Sequence, residues 1–328
     1  MRRDRAGCAE VAVVSDPVRV CVVGVGAIGS LYAAHLGRAE EVEVWAYDIV
    51  EAHVAAINDG GLRVTGRADF VSPVRATSDA AAIPPCALGI VATKAEHTAT
   101  AMAAVAHVFT DGAVASVQNG LGNEEVVAEF APRVIRGSIL PAGALAGPGV
   151  VRLDSLGPTW LGPFEPQPAR AEEIELLARL LTEGGLPAEA MADARGAQWG
   201  KVAFNAATSP IAALTGLSIG QLGERPDLRA LVEALAAETT RVCEAIGVDP
   251  PDPVTTLERE IVNAYAHKPS MLQDVLARRR TEVDVLTGGV ASAARDAGVR
   301  APLHEALTAL VHGLEASWAA TSESGMRH

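Results

Sequence analysis

Val20-Cys21-Val22-Val23-Gly24-Val25-Gly26-Ala27-Ile28-Gly29-Ser30 decides the fold of this chain. A short apolar, β-prone run reaches Gly24, and further glycines at Gly26 and Gly29 complete the spacing G-x-G-x-x-G. Leu31-Tyr32-Ala33-Ala34-His35-Leu36 then opens a helix. Strand, glycine turn and helix in this order make the context that a dinucleotide fingerprint requires. Gly24 permits the tight turn, Gly26 lets the backbone approach a pyrophosphate, and Gly29 lets the helix pack close to the strand. The helix start offers free N–H groups and partial positive charge to phosphates, so Gly24, Val25, Gly26, Ala27, Ile28 and Gly29 form the candidate cofactor loop. A tight turn with no ligand is the competing reading of the glycines alone.

The next strand, Glu43-Val44-Trp45-Ala46-Tyr47-Asp48, ends on an acid 24 residues after Gly24. A carboxylate there accepts hydrogen bonds from ribose hydroxyls and repels a 2′-phosphate, which predicts NAD(H) in preference to NADP(H). No Arg or Lys occurs between Arg38 and Arg63 to reverse that preference. The alternative for Asp48 is an N-cap of the helix that begins Ile49-Val50-Glu51-Ala52-His53.

Working outward, strands and helices keep alternating. Ala87–Thr93 is a buried-strand run that ends at Lys94, Thr98–Phe109 reads as a helix, and Gly112–Val117 is a second run ending at Gln118-Asn119-Gly120. Such alternation implies a mostly parallel sheet with helices on both faces, the α/β class. Ligands then sit beyond the carboxyl ends of the strands, where Gly24, Asp48, Lys94 and Asn119 all fall. Leu62–Val74 reads as polar β structure, and Gly137–Gly162 as short antiparallel strands finishing the sheet. Ala169–Gly184 reads as a closing helix. From Ala194 the periodicity is helical, with helices over Gln198–Leu214, Asp227–Ile246, Thr255–Ala266, Gln273–Ala297 and Pro302–Ala319. The domains are therefore taken as 18–192, a dinucleotide-binding domain, and 193–328, a helical domain, to which the resemblance given below assigns substrate binding and dimerisation.

The bulk properties narrow the function. The 328 residues suit one large or two ordinary domains. With 49% hydrophobic and only 4% aromatic residues, the core must be built from Ala, Leu and Val. The net charge of −13 argues against a nucleic-acid or anionic-membrane partner, and obliges an anionic substrate to find a local cation. Cys8, Cys21, Cys86 and Cys243 show no metal or redox spacing, which suits a reducing cytoplasm and predicts no metal. No window reaches the roughly 18 continuous apolar residues of a membrane span. Met1–Pro17 carries too short an apolar part for a signal segment and reads as a frayed extension.

Three segments of the helical half carry polar residues that periodicity leaves unexplained. Lys201 and Asn205 stand at i and i+4 on one helix face, which Thr208-Ser209 continue. Ser270 begins a helix after Pro269, where a plain N-cap is the alternative. Thr281-Glu282-Val283-Asp284 falls within the predicted 273–297 helix, where Glu282 is otherwise an exposed charge. With these motifs in hand, the chain resembles the ketopantoate reductases (2-dehydropantoate 2-reductases) and their relatives from Val20 to about Ala319. The resemblance rests on Gly-Val-Gly-Ala-Ile-Gly (24–29), Lys94, Gln-Asn-Gly-Leu-Gly-Asn-Glu-Glu (118–125), Trp-Gly-Lys-Val-Ala-Phe-Asn (199–205), Ser-Met-Leu-Gln-Asp (270–274) and Thr-Glu-Val-Asp (281–284), in that order.

The resemblance implies a Rossmann domain followed by an all-helical domain, with catalysis in the cleft between them. It implies that Lys201 is the general acid and Glu282 its partner carboxylate. Asn119 would lie beside the nicotinamide, Lys94 on the cofactor side, and Asn205 and Ser270 at the substrate. NADP(H) is the family default, but Asp48 stands where the family usually has an Arg for the 2′-phosphate. Ser209, shorter than the Asn usual there, is the second departure and falls in the substrate set. The expectation is a cytoplasmic, homodimeric, nicotinamide-dependent reductase of a 2-oxo acid. An NAD-dependent D-2-hydroxy acid dehydrogenase and a dinucleotide sensor without turnover are the alternatives.

Overall fold

A computed structural model describes residues 16–263 and 265–324. The expected frayed extension lies, up to residue 15, outside the described residues. The chain runs β1 (Val18–Val23), α1 (Ala27–Leu36), β2 (Val42–Tyr47), α2 (Glu51–Gly60), β3 (Leu62–Gly66), β4 (Phe70–Ser72), β5 (Arg75–Thr77), β6 (Leu88–Val91), α3 (Thr98–Val105), β7 (Ala113–Ser116), α4 (Asn123–Ala128) and β8 (Arg133–Ile139). It continues through β9 (Ala142–Gly147), β10 (Val150–Ser155), β11 (Thr159–Pro163), α5 (Ala171–Glu183) and β12 (Ala188–Ala190). The remainder is helical: α6 (Arg195–Thr215), α7 (Ile219–Gly223), α8 (Pro226–Ala245), α9 (Pro253–Asn263), α10 (Ser270–Leu276), α11 (Thr287–Asp296) and α12 (Pro302–Ser324).

The main sheet has the order β12-β11-β8-β7-β6-β1-β2-β5. From β8 to β5 every pair is parallel, and only the β11–β8 pair runs antiparallel. The order reverses at β1, with β2 on one side and β6 on the other, the topological switch point of a Rossmann sheet. β6 and β7 are buried along their whole length, and β1 along its last four residues. Strands covered on both faces read as continuous apolar runs, which is why the sequence revealed them. All parallel strands present their carboxyl ends to one rim, so the turns after β1, β2, β6 and β7 face the same crevice.

One difference from the sequence expectation stands on this side. β9 and β10 do not finish the main sheet. They join β3 and β4 in a second sheet, ordered β4-β3-β10-β9, in which β10 pairs in parallel with β3. This sheet covers α1 on the face turned away from the main sheet, so Gly29 to Leu36 are all buried. A helix enclosed in this way is mostly apolar, and the buried Ser30 Oγ and His35 Nδ1 of α1 bond to the Val25 and Gly184 carbonyls.

In the helical half, α6 is the central element and packs against α8, α10 and α12. The single helix predicted over 273–297 is instead interrupted between α10 and α11. Arg278 adopts φ 50, and backbone groups of the interruption are taken by distant partners. Lys94 Nζ donates to the Arg280 carbonyl at 3.0 Å, Thr281 N donates to the Glu315 carboxylate at 2.8 Å, and Leu121 N donates to the Val285 carbonyl at 2.8 Å. These contacts outside the helix replace the ladder that a continuous helix would need. Among the described residues no helix is long and apolar enough to cross a membrane.

Candidate active site

The glycine turn after β1 can be judged glycine by glycine. Gly24 sits at φ +83, and a Cβ there would lie 2.5 Å from Thr93 Cγ2. At Gly29 a Cβ would lie 1.9 Å from the Gly24 carbonyl oxygen, so side-chain-free contact is what seats α1 on the strand end. Gly26 is different: an added Cβ would meet nothing within 4 Å. Protein packing explains the first and third glycines and leaves the second unexplained, as expected where a ligand's phosphates fill the space. The residues therefore fit a dinucleotide. Ala27 and Ile28 open α1 at this turn, and the Val25 N–H is turned to the next strand.

That N–H donates to Asp48 Oδ2 at 2.8 Å, and the Val50 N–H donates to Asp48 Oδ1 at 2.9 Å. Asp48 is thus fixed by two backbone donors at the end of β2. It is not the N-cap of α2, a position held by Val50 without a side-chain cap bond. Ile49 and Val50 beside it are 78% and 55% exposed, an apolar ledge at the rim.

Across the crevice, the loop after β7 meets the interruption before α11. Gly120 lies at φ +87, and a Cβ there would stand 2.3 Å from the Val285 carbonyl oxygen. This close approach brings Asn119 to Glu282, whose Oε2 accepts from Asn119 Nδ2 at 3.5 Å. Glu282 therefore belongs to a turn between two helices, not to the middle of one as the sequence suggested. Lys94, following β6, reaches the same turn: its Nζ donates to Asp274 Oδ2 at 2.8 Å as well as to the Arg280 carbonyl. A cavity of about 200 Å³ opens here, lined in part by Lys94, Asn123, Arg280 and Glu282.

Lys201 is partly buried in α6, and no hydrogen bond or ion pair engages its Nζ among the described residues. Desolvation pushes its pKa from 10.5 down to about 8, against the charge of Glu282, which raises it. Burial likewise raises Glu282 above the ordinary carboxylate range, opposed by the Asn119 hydrogen bond and the Lys94 charge. An ammonium poised near neutral pH beside a carboxylate is the arrangement that general acid–base chemistry requires.

The structure thus brings Lys94, Asn119, Lys201 and Glu282 into one interdomain cluster. Asn205 follows Lys201 one turn along α6 and is partly buried, and Ser209 is buried a turn further on. Ser270 is the first residue of α10 and is exposed; Pro269 holds the cap position, so the capping alternative is not realised. Two residues outside the candidate set also matter. Asp274, buried, accepts from both Lys94 Nζ and Arg279 Nε, the latter at 2.9 Å. Glu124, also buried, accepts from Gln198 Nε2 at 2.7 Å and so ties α4 to α6. Asp274 stood within the quoted motif 270–274, but an acid in an amphipathic helix carries no mark of burial until its partner is known.

Comparison with known proteins matches residues 20–166 to a family described as ketopantoate reductase PanE/ApbA. Residues 193–315 match ketopantoate reductase PanE/ApbA C terminal. A 2-dehydropantoate 2-reductase of Halobacterium salinarum is 32% identical over 300 residues, covering 90% of this chain and 98% of that protein. The crystal structure of a PanE/ApbA family ketopantoate reductase from Ralstonia eutropha is similar at a TM-score of 0.82 and 29% identity, over 92% of this chain and 99% of its own. A D-mandelate dehydrogenase with NADH and anilino(oxo)acetate shares the fold at a TM-score of 0.83 and 24% identity, over 92% of this chain and 99% of its own.

Proposed function

The chain belongs to the ketopantoate reductase family, and from that premise we propose that it is a nicotinamide-dependent reductase of 2-oxo acids, acting on 2-dehydropantoate or a close relative. The observation that carries this reading is the Lys201 ammonium, without a hydrogen-bonding partner among the described residues and held near neutral pKa beside Glu282. When bound, the cofactor supplies the hydride that adds to the keto carbon. Lys201 donates the proton that the carbonyl oxygen takes up, and its charge draws the substrate carboxylate into an otherwise acidic protein. Glu282 balances that charge and, with Asn119, orients the reacting group. Asn205, Ser209 and Ser270 complete the substrate side.

The glycine loop 24–29 holds the pyrophosphate, and Asp48 the adenosine ribose. We assign NAD(H) as the preferred cofactor over the family default NADP(H). Asp48 is held after β2 by the Val25 and Val50 N–H groups, and the flanking arginines are occupied elsewhere. Arg38 donates to the Gly184 carbonyl at 2.9 Å and stacks over Phe70, while Arg63 pairs with Asp69 at 2.9 Å. Residues 18–192 are assigned to the cofactor domain and 193–328 to the substrate domain, through which a cytoplasmic homodimer would form.

A pKa near 8 also equips Lys201 to accept a proton, so oxidation of a D-2-hydroxy acid at the same site is the second reading. Nicotinamide absorbance followed over a panel of 2-oxo and 2-hydroxy acids tests both. Turnover of branched 2-oxo acids with NADH is the expected result. Cofactor binding with no turnover across the panel would overturn the enzymatic reading in favour of a sensor.

A further inference from the structure

A buried histidine next to the cofactor loop has no part in the chemistry above. His53 lies in α2 and is 4% exposed. Its Nδ1 faces the Gly149 N–H at 3.0 Å, so Nδ1 is the acceptor and, in the neutral ring, the proton resides on Nε2. Nε2 lies 3.3 Å from Ser30 Oγ, and Ser30 Oγ spends its own proton on the Val25 carbonyl at 2.8 Å. The direction of every bond in this chain follows: Gly149 N–H to His53, His53 to Ser30, Ser30 to Val25. The burial that fixes the neutral ring also lowers its pKa, a trend the Asp48 charge opposes.

Val25 is consequently held at both ends of its backbone, its N–H by Asp48 and its C=O by Ser30. The Val25 carbonyl shares a peptide plane with the Gly26 N–H, the donor beside the one glycine of the turn that protein packing does not explain. We propose that His53 is a positioning residue for cofactor binding, which acts through Ser30 to aim the Gly26 N–H at the pyrophosphate. The inference rests on the glycine loop being the cofactor site.

Two substitutions separate this from a merely structural role. His53→Asn keeps an acceptor near the Nδ1 position, hence the Gly149 arm, and loses the Ser30 arm. His53→Gln keeps a donor near the Nε2 position and loses the Gly149 arm. The measurements are NADH dissociation constants by titration, with thermal melts beside them. His53→Asn should weaken NADH about three- to tenfold, the range for one hydrogen bond that orders a binding loop. Ser30→Ala should weaken it comparably, with little further loss in the double variant. His53→Gln should remain within about twofold of the unsubstituted protein, although its melting temperature falls as well. Unchanged NADH binding in folded His53→Asn and Ser30→Ala would overturn the inference, and so would affinities that simply follow the melting temperatures. Should His53→Asn fail to fold, Ser30→Ala decides alone. An unsubstituted protein that bound neither NADH nor NADPH would instead sink the cofactor reading, and this inference with it.

Discussion

The sharpest consequence of the site is a pH limb owned by Lys201. Burial brings its pKa to about 8, from an ordinary 10.5. As proton donor in the reducing direction, Lys201 is mostly charged at neutral pH. One pH unit above its pKa only about one-tenth of it retains the proton, so kcat/KM for 2-oxo acid reduction should fall about tenfold per pH unit beyond that point. Glu282 opposes the downward shift, so Glu282→Gln should move the limb to lower pH. Lys201→Ala should remove the limb and lower kcat by about 10²–10⁴-fold while leaving NADH affinity near normal. The assay is initial-rate reduction across the pH range at saturating NADH, with melting temperatures recorded at each pH. A profile flat to well above pH 8, or a limb that persists in Lys201→Ala, would refute the assignment, because the titrating group would then be another residue.

Three further outcomes follow from the geometry. Gly26→Ala adds a methyl group into space free of protein atoms, so stability should hold within about 0.5 kcal/mol while NADH affinity falls by an order of magnitude or more; equal losses of both would refute it. Asp48→Arg should shift the ratio of kcat/KM for NADPH over NADH upward, and an unsubstituted protein that uses NADPH as well as NADH would contradict the proposed preference. Burial raises Glu124 from 4.5 to about 7, so its contribution to stability is present below about pH 4.5 and is lost as pH rises through about 7. Glu124→Gln, which keeps an acceptor for Gln198, should therefore stabilise the protein at pH 8 by up to about 3 kcal/mol and flatten the pH dependence of the melting temperature; an unchanged pH dependence would count against it.

What the sequence made legible, and what it hid, divides along the reach of the interactions. β1, β6 and β7 stand out as apolar runs because both their faces are covered, and the glycine turn because the φ of Gly24 and the close contact at Gly29 admit little else. Lys201 and Asn205 could be paired from helical spacing alone. The second sheet could not be read, since β3 (Leu62–Gly66) and β10 (Val150–Ser155) are far apart in the chain and strand alternation says nothing about the partner. The break between α10 and α11 was equally hidden, for no Gly or Pro falls within residues 277–286, and Gly288-Gly289 lie just inside α11. It is imposed by Lys94 and Glu315, which lie far away in the chain and claim the carbonyl of Arg280 and the N–H of Thr281. Glu282 could be chosen only by resemblance, because its position in a turn exists only once those contacts form. Asp274 looked like any helical acid until Lys94 and Arg279 were found against it.

Charge distribution in the cleft adds a last step. Three neighbouring cations already have carboxylates: Lys94 and Arg279 share Asp274, and Arg280 is paired with Glu96 and Asp284 at 3.3 Å. Lys201 alone in this set has only the unbonded influence of Glu282. A 2-oxo acid entering an acidic protein would therefore place its carboxylate toward Lys201. An opposite charge within a few ångströms raises the pKa of an ammonium, so bound substrate should make Lys201 a weaker acid than it is in the free site. The two kinetic profiles report these states separately, kcat/KM the site before substrate binds and kcat the site with substrate in place. The alkaline limb of kcat should thus lie at higher pH than that of kcat/KM, by about one pH unit for a single carboxylate neighbour. Coincident limbs would mean that the substrate carboxylate is held elsewhere, and that Lys201 serves the carbonyl oxygen only.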